Sequence, residues 1–108
     1  MIRGDLVTIA IQGDYGKPRP ALVIQADLFR EHTSVTVLPV TSTLVAAPLF
    51  RITLQPGGEN GLQKTSQVMV DKIITVKRDK VGPVFGCIGP DTMVEIERCL
   101  AVFLGIAK

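Results

Sequence analysis

With 108 residues the chain is long enough for one domain with a single modest core and too short for two. Hydrophobic residues make up 46% of it and charged residues 20%, a composition too apolar for a disordered chain. Twelve Lys and Arg against ten Asp and Glu leave a net charge of +2, which excludes the strongly basic balance of a general nucleic-acid coat, so any RNA contact has to come from local clustering.

The first apolar run, from Asp5 to Ile11, alternates so that Val7, Ile9 and Ile11 share a face, and this predicts a strand. GDYGKPRP interrupts it with two Gly and two Pro and is a loop. ALVIQ predicts a second strand. After the polar segment ADLFREHTS, VTVLPV predicts a third, in which Pro39 marks an irregularity or an edge. FRITL alternates cleanly, with Phe50, Ile52 and Leu54 on one side and Arg51 and Thr53 on the other. PGGENG is the strongest turn signal, and it leads into a fifth strand from about Thr65 to Ile74, with a sixth near VGPVFGCI.

After Gly89 the period changes. Met93, Ile96, Leu100, Phe103 and Leu104 follow the three-to-four spacing of one helical face. Pro90 suits a first-turn position, where its missing N–H costs nothing, and Asp91 complements the positive end of the helix. No repeat, linker or low-complexity segment divides the chain. The expected fold class is therefore α+β, mainly β: five or six antiparallel strands as a barrel or sandwich, closed by a C-terminal α-helix, in one domain over residues 1–108.

Cys87 and Cys99 lack CxxC spacing and have no neighbouring histidine, so neither a zinc site nor a redox motif is indicated, and simple burial is the expectation for both. Neither a metal nor a cofactor is accordingly expected. Asp5 sits in the middle of what would be the apolar region of a signal peptide, and no apolar run approaches about twenty residues. A cytoplasmic protein, away from membranes, is expected.

Many small barrels with a terminal helix would share this pattern, and a fold does not fix a function. Specific residues carry the rest: RGDLV near the N-terminus, GKPRPALVIQ at the second strand, VLPVTS at the third and GLQKTSQVMVDKI at the fifth. In their order and spacing these resemble the MazF/PemK family of type II toxins. The resemblance implies an SH3-like antiparallel β-barrel that forms a homodimer, binds a cognate antitoxin, and cleaves single-stranded RNA, such as mRNA, without a metal. The implied chemistry is attack of a ribose 2′-hydroxyl on the adjacent phosphate, which needs a base, an acid or charge stabiliser, and donors for the phosphorane oxygens.

Arg19, between Pro18 and Pro20, matches the family's active-site arginine. A guanidinium is permanently charged and offers a planar fork of donors, so it can grip phosphate oxygens but would be a poor general base. By itself the residue would more often be an exposed arginine in an extended Pro-x-Pro segment, and the resemblance reverses that preference. Thr41, in PVTS, matches the family's threonine, whose hydroxyl can hydrogen-bond the scissile phosphate with Ser42 in support. Thr and Ser also commonly just end a strand and start a turn. Asp71 stands where some members place a base, and strand alternation puts it on a largely polar face with Thr65, Gln67 and Met69. Those members carry an arginine two residues before the aspartate as the acid. Met69 replaces it here and cannot donate a proton, so Arg19 and Thr41 carry the reaction or the acid arrives from the loop.

Tyr15 and Lys17, beside Arg19, make a base-stacking platform for single-stranded RNA or simply a solvated loop, and Thr65 and Gln67 complete the candidate RNA-binding set. The loop is shorter than is usual in the family. Lys72, Lys77, Arg78 and Lys80 form a basic cluster that could track phosphates or an acidic antitoxin tail, though such clusters are usually solvated faces. His32, the one histidine, falls in a polar segment and reads as a surface residue, so a two-histidine ribonuclease mechanism within one chain is excluded. The exposed part of the terminal helix and the strand edges are the expected dimer surface.

Two other readings stay open on sequence alone. The CcdB toxins share the fold and poison DNA gyrase through residues near their C-terminal end, for which AVFLGIAK gives some footing. An inactive barrel that only binds antitoxin is the other, motivated by Met69.

Overall fold

A computed structural model describes residues 1–11 and 17–107. Seven antiparallel strands carry the chain before one helix: β1 (Asp5–Ala10), β2 (Pro18–Val23), β3 (Ser34–Thr41), β4 (Arg51–Leu54), β5 (Ser66–Met69), β6 (Ile74–Lys77), β7 (Val81–Cys87) and α1 (Pro90–Phe103). The sheet order is β4-β5-β3-β2-β1-β7, with β6 also paired to β3. Among the described residues no pairing joins β4 to β7, so these strands make an antiparallel sheet that is not closed.

The alternation of the sequence decides which side chains leave water. Val7 and Ile9 of β1 are buried with Ala21, Val23, Val35 and Val37, and Ile11 packs against them, as the first run predicts. The other face of the sheet buries Leu6, Leu22, Leu38 and Val40 with Val68 and Val70, beneath Met93 and Ile96 of α1. Leu54 joins this second cluster with Phe50 and Ile52 against it, the face that FRITL marks. Each fully buried aliphatic side chain contributes roughly 1.5–3 kcal/mol by leaving water.

The fifth strand is where period-2 reasoning fails. Instead of running from Thr65 to Ile74 it stops at Met69, turns through a 3-10 segment at Val70–Lys72, and resumes as β6. Val40 pairs with Val68 but Val37 pairs with Ile74, so a step of three positions on β3 corresponds to a step of six from β5 to β6. The three surplus residues are those of the turn. Asp71 therefore does not continue the face of Thr65, Gln67 and Met69. The three extra residues reverse the parity: Val68 and Val70 pack in the cluster under α1, while Ile74 and Val76 of β6 pack against the other cluster. Pro39 lies in the interval between the β5 and β6 pairings, where that edge of β3 has no strand partner, which is the irregularity its missing N–H marks.

Helix α1 begins as expected, with Pro90 in its first turn and Asp91 beside the orphan N–H groups. It ends at Gly105, whose φ of +74° suits a residue without Cβ, while Ile106 N–H returns to the Ala101 carbonyl (2.8 Å). The expected apolar face holds only in part. Met93 and Ile96 are buried and Leu100 packs against the core, but Phe103, Leu104 and Ile106 are 49%, 54% and 77% exposed. The last turn leaves its apolar side chains largely in solvent. No helix among the described residues is long and apolar enough to cross a membrane.

Candidate functional site

The prolines flanking Arg19 lock φ near about −65°, so β2 enters the sheet as a stiff extended segment. Arg19 pairs with Ile9 of β1 on one side. On the other, β2 and β3 pair at Ala21–Pro39, and continuing that register by two residues sets Arg19 opposite Thr41. In a regular ladder facing Cβ atoms are about 5 Å apart. Two residues 22 positions apart in sequence are thus brought together by the sheet alone.

Both line a cleft of about 370 Å³, together with Pro20, Ser42, Thr43, Ser66 and Met69. Thr43 N–H donates to Thr41 Oγ1 (3.1 Å), a short side-chain turn just past the strand end. That bond occupies the acceptor side of the Thr41 hydroxyl and leaves its proton for an incoming acceptor. A permanent cation facing a hydroxyl donor can bind a phosphodiester and stabilise added negative charge on its oxygens.

The remaining sequence-predicted residues are placed more variously. Ser42 lines the cleft, and Lys17 is exposed just before β2. Tyr15 lies outside the described residues. Thr65 donates to Gln55 Oε1 (2.9 Å) and is not part of the cleft lining, where its neighbour Ser66 stands instead. Gln67 is buried, and its amide holds the segment after Thr41. Asp71 is held in the 3-10 turn with Oδ2 3.1 Å from Lys72 Nζ, and its Oδ1 has no hydrogen-bond partner among the described residues. It does not line the cleft.

Thr43 and Ser66 are the cleft residues that sequence reading missed. Ser66 escaped because strict alternation from Thr65 to Asp71 selects the odd-numbered positions, and the short, broken strand does not keep that parity. The TST run at 41–43 was the available signal for Thr43. Within the basic cluster, Arg78 is a structural clamp whose Nε donates to the His32 carbonyl (2.7 Å) and whose Nη2 donates to the Arg30 carbonyl. His32 is exposed, as expected, while Lys77 and Lys80 remain solvated.

A second cleft, of about 360 Å³, lies between the 53–60 segment and the start of α1 and includes Cys87. Cys87 and Cys99 are both free and partly buried. Burial, then the Glu59 carboxylate 3.7 Å from the sulfur, then Asp5, push the Cys87 thiol above its ordinary value. A raised value means less thiolate at neutral pH. Alkylation of Cys87 by iodoacetamide is therefore expected to be several-fold slower at pH 8 than that of free cysteine, and Glu59→Gln should accelerate it. Equal rates in the two proteins, read by mass spectrometry of the Cys87 peptide, would remove Glu59 as a cause.

Comparison with known proteins bears directly on this arrangement. Residues 2–104 match a family described as PemK-like, MazF-like toxin of type II toxin-antitoxin system. A probable endoribonuclease MazF from Mycolicibacterium smegmatis is 46% identical over 108 residues, covering 99% of each chain. Among solved structures, a mycobacterial endoribonuclease in complex with its cognate antitoxin superposes with a TM-score of 0.84 at 26% identity, covering 100% of this chain and 98% of that one. The Mycobacterium tuberculosis toxin MazF-mt6 has the same fold, with a TM-score of 0.82 at 21% identity and coverage of 96% and 99%.

Proposed function

Since the chain belongs to the PemK-like, MazF-like toxin family, we propose that it is the toxin of a type II toxin-antitoxin system, an endoribonuclease that cuts single-stranded RNA in the Arg19–Thr41 cleft. The observation that supports this reading is the cleft that Arg19 and Thr41 line together, where a permanent cation shares one site with a hydroxyl whose oxygen accepts from Thr43 N–H. Arg19 binds the scissile phosphate bidentately and holds the two charges that build on the phosphorane. Thr41 donates to a non-bridging oxygen, with Ser42 beside it. The nucleophile is the neighbouring 2′-hydroxyl, so the protein has only to orient the ribose and phosphate and stabilise charge, and no metal-bound water enters the scheme.

The 2′-oxygen forms its bond to phosphorus as the bond to the 5′-oxygen breaks, water taking the 2′-hydroxyl proton and returning one to the 5′-oxygen; Asp71, in the turn beyond Met69 and outside the cleft lining, has the secondary part of accepting that proton through such a water. Lys17 and Tyr15 belong to the loop that leads into Arg19, where they meet flanking nucleotides, and Thr65 borders the strand that carries Ser66. In this reading the open sheet is a member of the SH3-like barrel class, the exposed apolar end at Val102–Ile106 seats a second copy, and an antitoxin is the third partner. The cytoplasm, where mRNA and antitoxin are met, is its place of action.

The test uses the purified protein, a set of single-stranded RNAs and EDTA. Cuts that leave 2′,3′-cyclic phosphate ends are expected. Intact RNA together with gyrase trapped on DNA would replace the ribonuclease reading by that of a gyrase poison, and intact RNA with unaffected gyrase would leave an antitoxin-binding scaffold.

A further inference from the structure

We propose that Gln67 is a positioning residue of the cleft: its buried amide acts as one extra rung of the β3–β5 ladder and thereby fixes the Thr41 hydroxyl. The inference rests on the ribonuclease reading above for its effect on rate, and on geometry alone for its effect on the loop.

The backbone ladder between β3 and β5 has two pairs, Val40–Val68 and Thr41–Gln67, and stops at the second. The next residues of the chain, Ser42 and Thr43, line the cleft, and the segment that follows them belongs to no strand. Burial cannot anchor it, because Leu44 and Val45 are 50% and 45% exposed. The Gln67 side chain is 6% exposed, and an amide taken out of water at that depth needs its donors and acceptor filled. All are filled by this segment and its supports. Val45 N–H donates to Gln67 Oε1 (3.1 Å), and Gln67 Nε2 donates to the Val45 carbonyl (3.0 Å). Both backbone groups of one residue are therefore satisfied by one amide, as a paired strand residue would satisfy them.

The same amide is itself held. Gln67 Nε2 also donates to Thr53 Oγ1 (3.2 Å), and Arg51 Nη1 donates to Gln67 Oε1 (3.4 Å) while reaching the Thr43 carbonyl (3.5 Å). Thr43 is thus tied at its carbonyl to Arg51, and its N–H donates to Thr41 Oγ1, while Val45 two residues on is held by Gln67. The path from Gln67 to the reacting phosphate runs through Arg51 and Val45 to Thr43 and so to the rotamer of one hydroxyl. Gln67 itself is not among the residues that line the cleft.

Gln67→Met keeps the length and removes every hydrogen bond, and Gln67→Glu keeps the acceptor for Val45 N–H and Arg51 but loses the donor. The wild-type protein and both variants would be compared in single-turnover cleavage, in binding of an uncleavable RNA with 2′-deoxyribose at the scissile position, and in amide exchange at Thr43 and Val45. A misplacement of about 1 Å can cost about 10²-fold in rate. Gln67→Met is expected to slow cleavage by about 30- to 100-fold with binding changed less than about threefold, Gln67→Glu by about tenfold, and both to speed exchange at Thr43 and Val45. In a Thr41→Val background the further loss on Gln67→Met should shrink to about twofold, because no hydroxyl is left to position. A residue that only stabilised the fold would lower both backgrounds equally.

If Gln67→Met does not fold, Gln67→Glu carries the comparison. Wild-type cleavage with an unchanged rate in the folded variant, or unchanged exchange at Thr43 and Val45, overturns the Gln67 proposal alone. Uncut RNA with the wild-type protein overturns the ribonuclease reading, and the positioning effect on cleavage with it.

Discussion

Arg19→Ala is expected to lower the rate of RNA cleavage by about 10³-fold and to leave the protein folded. The magnitude follows from what the guanidinium does. In the proposed reaction it is a donor fork for oxygens that gain charge only in the transition state, and removing one such donor from an enzyme typically costs about 10²- to 10³-fold, with a full positive charge at the upper end. The structural cost should be small: Arg19 is exposed near the start of β2, where the prolines on either side restrict the backbone. Surface substitutions of this kind usually stay within about 0.5 kcal/mol. Arg19→Lys keeps a charge but not the bidentate geometry, so it should recover only part of the loss. Single-turnover cleavage paired with thermal unfolding checks this, and an Arg19→Ala protein that cuts at the wild-type rate would remove Arg19 from the reaction.

Thr41→Val comes second, with an expected loss of about 10²-fold. Valine keeps the β-branched shape that suits the end of β3 and deletes only the hydroxyl. Two things go with it: the donor to the phosphate oxygen, and the acceptor for Thr43 N–H that shapes the turn. Thr43 is exposed, so its N–H turns to water at little cost and the effect on stability should be small. Thr41→Ser restores the hydroxyl and should recover most of the rate. Groups that act on one phosphate act as a unit, so Arg19→Ala combined with Thr41→Val should cost less than the product of the two losses. Fully multiplicative losses would mean that the two side chains serve separate steps.

Placed beside these expectations, the reading of the chain divides along one physical line. Short-range periodicity located the strands and the two faces: Val7, Ile9 and Ile11 share one cluster, and Phe50, Ile52 and Leu54 share the other. It also set the start of α1 at Pro90. Each of those outcomes depends only on which residues exclude water and on local backbone rules, and both are written residue by residue.

Alternation failed where the strand broke. Val68 and Val70 keep one face, as parity predicts, but a three-residue 3-10 turn follows, Ile74 and Val76 resume on the other face, and Asp71 leaves the run that parity assigned to it. The helix shows the same limit, since Phe103 and Leu104 continue the periodic face of α1 yet stay half exposed. Periodicity says which side of an element is apolar, not how much of that side a neighbour covers.

The cleft returns the argument to Arg19 and Thr41. Their identity as candidates came from motifs in the sequence, and so did the family. That both line one cleft was decided by the antiparallel pairing of β2 and β3, and the segment after Thr41 is held by an amide at Gln67, a residue which sequence reading had assigned to RNA. Chain order carries residue chemistry and local preference. The distances on which catalysis turns arise from strand pairing between segments far apart in the chain, and only the folded sheet sets them.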